Sequence, residues 1–153
     1  MTRTAQDLFA TAAVTSFKLN GQFLAIAEKL AKPSGITVAW WQVLGAILHK
    51  PLPVAGIARE MGITRQSVQR IADLLADKGF VEYRPNPVHR RAKLVAITES
   101  GHAAVREIDP QHAAMAERLV AHLGVDELAR IVDALTTLSA TLDALEGDAT
   151  DTA

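Results

Sequence analysis

Between Pro53 and Gly79 the chain carries one apolar pattern twice. Val54, Ile57, Ala58 and Met61 fall at i, i+3, i+4 and i+7, and Val68, Ile71, Ala72 and Leu75 repeat that spacing. Residues so spaced share one face of a helix. Only Gly62-Ile63-Thr64 lies between the two runs. Pro53 fits the first turn of the first helix and Gly62 its stop. Thr64 is a sound N-cap for the second, and Ile63 can staple onto Val68. Gly79 ends that helix, with Phe80 as the apolar residue that closes such a stop. Two short helices across a tight glycine-containing turn make a helix-turn-helix.

The sequence on either side adds a few further elements. From Gln6 to about Ala31 there is no proline, and Leu8, Ala12, Leu19, Phe23, Ile26 and Leu30 form one helical stripe. With Ser16 the spacing alternates threes and fours, close to a coiled-coil seam. Lys32-Pro33-Ser34-Gly35 interrupts it. A second helix is expected from an N-cap at Thr37 to Leu48, apolar around most of its circumference and therefore buried. Pro51 and Pro53 end it and start the next. After Gly79, the β-prone runs Val81–Arg84 and Ala92–Ile97 flank Pro85-Asn86-Pro87-Val88-His89-Arg90-Arg91, a hairpin with a long basic tip. Thr98 caps a further helix, bent at Pro110 and reaching Leu123. A last helix is expected from about Asp126 to Leu145, with Leu128, Ile131, Leu135, Leu138, Leu142 and Leu145 on its stripe. The tail from Gly147 is expected to fray. The 153 residues suit one domain.

Composition removes several classes of function. There is no cysteine, hence no disulfide, thiolate nucleophile, Cys-type zinc site or thiol redox sensor. No stretch approaches the ~18 apolar residues of a membrane span. Met1–Asp7 lacks the apolar core of a signal peptide, so a cytoplasmic location is expected. His102, His112 and His122 recur every ten residues, but ten residues turn a helix by about 1000° and the rings do not stack, so no metal is expected. G-x-S-x-G, H-E-x-x-H, Walker and GxGxxG motifs are all missing, and Asp126-Glu127 sits at a helix start where acids cap; an enzyme and a cofactor are not expected.

Net charge is −1, which at first sight argues against a nucleic-acid partner. The charge is segregated, however. Residues 50–100 hold nine basic and five acidic groups, a net of +4, and the two flanks together carry −5. Within that middle the second helix of the pair presents Arg65, Gln66, Ser67, Gln69 and Arg70 on its polar face. Arginine reads guanine O6 and N7, and glutamine reads adenine N6 and N7, each by a fork of two hydrogen bonds in the major groove. Thr64, Ser67, the first-turn N–H groups and Lys93 suit phosphate. Arg90 and Arg91 at the hairpin tip are placed to follow the backbone or enter the minor groove.

The run Ile63–Leu75, then Lys78-Gly79-Phe80-Val81, then Arg90-Arg91-Ala92-Lys93-Leu94-Val95-Ala96-Ile97-Thr98-Glu99-Ser100-Gly101, resembles the MarR family of bacterial transcriptional regulators. So do the buried helix opening at Thr37 and the long first and last helices. The resemblance covers roughly residues 6–146. It implies a mainly α fold with a small β-hairpin wing: a winged helix-turn-helix DNA-binding lobe over 36–98, flanked by dimerisation helices over 6–31 and 99–146. It further implies a homodimer on a pseudo-palindromic DNA operator, commonly as a repressor released by a small aromatic or phenolic ligand. Phe17, Trp40, Trp41 and His49 are candidates to line that ligand's pocket, against the plainer reading that both tryptophans are core. The family's wing usually carries Asp-x-Arg. Here Arg91 holds the arginine position, but His89 stands where the aspartate is expected, either as a loop histidine or as added charge at low pH.

Read without the resemblance, the two apolar seams either pack on each other within one subunit or meet a second copy, and a second copy would place two recognition helices about one DNA turn, ~34 Å, apart. The alternative function is a winged-helix protein-interaction module without DNA binding, against which the intact basic helix argues.

Overall fold

The two helices of the pair form where their apolar spacing requires, and the rest of the fold is arranged around them. The computed structural model describes residues 2–150. Helix α1 spans Ala5–Ala31, followed by a 3-10 turn over Lys32–Ser34. Helix α2 spans Val38–Ala46, strand β1 Leu52–Pro53, helix α3 Val54–Met61 and helix α4 Arg65–Asp77. Strands β2 (Val81–Arg84) and β3 (Leu94–Ile97) form the wing. Helices α5 (Glu99–Arg106), α6 (Asp109–Leu123) and α7 (Val125–Thr150) complete the order. The chain divides into two compact units after Pro110.

The first unit holds the core. Val43, Leu44 and Ile47 meet Ile57 and Ala58 of α3 and Val68, Ile71, Ala72 and Leu75 of α4. Val81 and Val95 close that core from the sheet. All the paired positions read from the two matching apolar runs face this core except Val54 and Met61, which are half-buried beside it. The stops are as expected: Gly62 and Gly79 take left-handed φ of 65° and 79°, where a Cβ would be strained. The Phe80 N–H returns to the Leu75 carbonyl at 2.9 Å, closing α4. Thr37, Thr64 and Thr98 each cap their helix by accepting from a backbone N–H three residues on. Ala31, Ile36 and Ile108 form a smaller buried cluster beneath Trp40 and Trp41.

Five expectations are corrected. Helix α2 ends at Ala46, not Leu48, because Ile47 leaves helical geometry with φ −105° and ψ 9°. The wing hairpin gains a third strand, in the order β1-β3-β2, with Leu52 opposite Val95 and Pro53 opposite Leu94. Two residues carry no alternation to read, and a proline is tolerated because β1 is an edge. The helix after Thr98 breaks instead of bending: α5 stops at Arg106 and α6 restarts at Asp109, since Pro110 has no N–H to continue the ladder. Helix α7 runs through Gly147 to Thr150, where a frayed tail was expected, the rest of that tail lying outside the described residues; one glycine costs only ~1 kcal/mol in a helix, too little to stop it. Helix α1 starts one residue early, at Ala5, because Thr4 and Asp7 form a capping box: the Asp7 N–H donates to the Thr4 hydroxyl (3.1 Å) and the Thr4 N–H to the Asp7 carboxylate (3.0 Å).

The long helices carry exposed apolar side chains, on and beside the stripe of α1 and along that of α7. Phe9, Phe17 and Phe23 of α1 are exposed, as are Leu135, Leu138, Leu142 and Leu145 of α7. Among the described residues no helix is long and apolar enough to cross a membrane.

Candidate nucleic-acid interface

The polar face of α4 and the wing meet around one open cleft of about 660 Å³. Alternation along β2 explains how it forms. Val81 and Tyr83 point inward and Glu82 and Arg84 outward, where they form an ion pair at 2.8 Å. Tyr83 is thereby carried under α4. Strand β3 begins at Leu94, and the residues that lead into it, Arg91, Ala92 and Lys93, also line the cleft. The floor comes from Pro53, Val54 and Ala55 at the start of α3.

Of the residues singled out in the sequence, Arg65, Gln66, Gln69, Arg91 and Lys93 line this cleft. Arg65, Gln66, Arg91 and Lys93 are exposed, so their cations and amide project into open space. Thr64 and Ser67 sit at the start of α4. The Thr64 hydroxyl accepts the Ser67 N–H (3.1 Å) and donates to Ser67 Oγ (2.9 Å), which leaves Ser67 its own proton to offer to an anion. With the first-turn N–H groups this makes a positive helix terminus. Arg70 and Arg90 are exposed but lie outside the lining of the cleft.

The hairpin tip is held by a residue the sequence reading passed over. Asn86 is buried, and its Oδ1 accepts the N–H groups of Val88 (3.0 Å) and His89 (3.3 Å). This Asx turn fixes the tip from inside the loop. His89 is exposed, and its carbonyl accepts the Ala92 N–H at 3.1 Å.

Two further lining residues, Asp73 and Tyr83, were not anticipated. The Tyr83 hydroxyl donates to Asp73 Oδ1, and Gln69 Nε2 donates to the same Oδ1 (3.0 Å) and to the Tyr83 oxygen (3.1 Å). Burial, and then the Asp73 carboxylate, push the Tyr83 phenol up to about 12. The Gln69–Asp73 separation of four was visible in the sequence as a helical pair. Tyr83 was not, because only β2–α4 packing brings it there.

Of the four residues considered for a ligand pocket, the two tryptophans share the smaller apolar cluster. Phe17 and His49 are exposed, Trp40 is packed against both apolar clusters with the Lys78 ammonium 5.3 Å from its ring centre, and Trp41 packs on the smaller cluster. None of them lines the cleft. Among the described residues, no three His, Asp or Glu side chains come together as a metal site.

A family model described as MarR family matches residues 34–92. The chain is 31% identical over 134 residues to the transcriptional repressor MprA of Escherichia coli K12, covering 85% of this chain and 76% of the repressor. Among solved structures it is similar to a mutant MarR from E. coli complexed with operator DNA, with a TM-score of 0.69, 21% identity and coverage of 89% and 99% of the two chains. It is likewise similar to Bordetella bronchiseptica BpsR, whose DNA binding is regulated by 6-hydroxynicotinic acid, with a TM-score of 0.69, 22% identity and coverage of 84% and 98%.

Proposed function

The chain belongs to the MarR family and is a DNA-binding transcriptional regulator; on that premise we propose that it acts as a homodimeric repressor, reading its operator with α4 and gripping the backbone with the wing. The observation that carries this reading is the cleft in which Arg65 and Gln66 of α4 face Arg91 and Lys93 of the wing. Three cations around an open groove beside a helix N-terminus suit a duplex, whose bases and phosphates are both within reach of such a pair of elements.

In this assignment Arg65, Gln66, Gln69 and Arg70 address base edges, Thr64, Ser67 and Lys93 address phosphate, and Arg90 and Arg91 follow the backbone or the minor groove. The uncovered leucines of α7 and phenylalanines of α1 support a second copy as their partner, since apolar faces of that length are seldom left to solvent. The likeness to MprA supports repression. The likeness to BpsR supports relief by a small aromatic acid or related compound, with Phe17, Trp40, Trp41 and His49 as residues to test. A protein-interaction role without DNA is not favoured by any feature of the cleft.

Selection of bound duplex from random oligonucleotides tests the proposal. A pseudo-palindromic site is expected, with log K falling by ~0.9 per neutralised phosphate as log salt rises. Arg91→Ala is expected to weaken binding to all sequences and to reduce that slope by about one. Failure to enrich any site at low salt overturns the reading.

A further inference from the structure

Gln69 is exposed on α4, yet its side chain is held. A glutamine side chain is long and rotatable, and ordering it against a base costs that freedom. Here Nε2 lies 3.0 Å from Asp73 Oδ1 and 3.1 Å from the Tyr83 oxygen. The Asp73 carboxylate only accepts, so the amide turns its nitrogen to this pair. The two acceptors are themselves joined by the Tyr83 hydroxyl proton, and one N–H is shared between them. The other N–H and Oε1 remain for a base.

Resting on the reading of α4 as the recognition helix, we propose that Asp73 and Tyr83 are positioning residues for sequence readout: they hold Gln69 in one attitude over the cleft, and its discrimination among bases depends on that hold. Asp73 lies one turn along the same helix, so a bond to it alone is the ordinary pairing of residues four apart. Tyr83 comes from β2, fourteen residues from Gln69 in the chain, and approaches from outside the helix. Its hydroxyl fixes the carboxylate that in turn fixes the amide. An amide ordered before it meets DNA loses less freedom on binding. It also meets the base edge at a set angle, which separates a matching pattern of donors and acceptors from a wrong one.

The placement of Asp73 has the same explanation. It is the one acid among the residues lining the cleft, beside Arg65, Arg91 and Lys93. A carboxylate on a surface that faces phosphate opposes binding by like-charge repulsion. Bonded through Oδ1 to Tyr83 and Gln69, it serves readout at some loss of affinity. Its charge and its hold are separable, because asparagine keeps an oxygen for both donors and alanine does not.

Selection from random duplexes with the full chain, followed by affinities for the selected site and its single-base variants, tests the inference. Gln69→Ala is expected to level one half-site position, which identifies the base that Gln69 reads. Asp73→Ala is expected to reduce discrimination at that position about tenfold, with selection elsewhere in the site unchanged. Tyr83→Phe, which keeps the ring, is expected to move it partway. Asp73→Asn loses the same charge but is expected to stay within about twofold of the wild type there, since the accepting oxygen remains. In a Gln69→Ala background, Asp73→Ala is expected to change nothing further at that position, because the two act through one group. Full discrimination in Asp73→Ala, equal losses in Asp73→Asn and Asp73→Ala, a loss spread evenly over all positions, or a site indifferent to Gln69→Ala overturns the inference while leaving the recognition helix in place. A site whose selection survives Arg65→Ala and Gln66→Ala together shows that α4 is not the reading element and overturns both.

Discussion

Gly101 offers a test of how the wing is fixed to the helices, and its cost can be worked from geometry. It is buried near the start of α5, and a Cβ built there would lie 2.2 Å from the Phe80 carbonyl oxygen and 2.7 Å from Ile97 Cγ1. Carbon–oxygen contacts settle near 3.2 Å or more, so Gly101→Ala requires α5 to retreat by about 1 Å, an overpacking of the kind that costs ~1–3 kcal/mol. Retreat is resisted locally. The Thr98 N–H donates to the same Phe80 carbonyl at 3.0 Å, the Thr98 hydroxyl donates to the Gly79 carbonyl at 2.6 Å, and the Gly101 N–H donates to Thr98 Oγ1 at 3.2 Å. Weakening one of these adds ~1 kcal/mol, while alanine's better helix preference returns ~0.5–1 kcal/mol. The net expectation is a loss of about 2–3 kcal/mol, which for a chain of this size lowers Tm by roughly 5–10 °C. Urea and thermal unfolding at one fixed protein concentration measure it, since association would shift an apparent Tm. Gly45→Ala is the control: that glycine lies in α2 with nothing within 4 Å of a built Cβ, and the change should gain up to ~1 kcal/mol. If Gly101→Ala is as stable as the wild type, the close approach of α5 to the β2 entry is not a constraint and the reasoning fails.

Three other outcomes follow from the same contacts. Tyr83 is the chain's one tyrosine, so its phenolate absorbance titrates cleanly. Its midpoint is expected near 12 against an ordinary 10.0, falling in Asp73→Ala. Because the folded pKa is the raised one, its stabilising effect is complete below about pH 10 and is lost as pH rises toward about 12; Tyr83→Phe should remove that share of alkaline destabilisation. Thr98→Ala loses both the α5 cap and the bond to Gly79, about 2 kcal/mol together, read from denaturant midpoints. Leu135→Asp with Leu142→Asp, on the exposed stripe of α7, should leave the helical content intact and yield monomers in sedimentation; an unchanged dimer mass would place the interface elsewhere.

The α3–α4 pair was legible because everything that defines it is local. Apolar residues at helical spacing, a threonine cap and a glycine stop all act within one or two turns, so Thr64, Gly62 and Gly79 declare themselves in one dimension. The cationic groups were legible as types, and Arg65, Arg91 and Lys93 do share one cleft. Asn86 gives a partial signal, as an Asn between two prolines in a loop, but its burial depends on the folded tip. Nothing in the sequence marks Gly101 as differing from Gly45, although one abuts a carbonyl and the other faces open space.

By itself, then, the sequence determined which segments are helical, how the helix-turn-helix pair is capped and stopped and which of its residues enter the core, because caps, stops and apolar periodicity are short-range properties of the chain. Only the tertiary structure decided how those groups are presented. Pairing of β1 with β3, the seat of α5 on Phe80 and the delivery of Tyr83 to Asp73 join residues far apart along the chain.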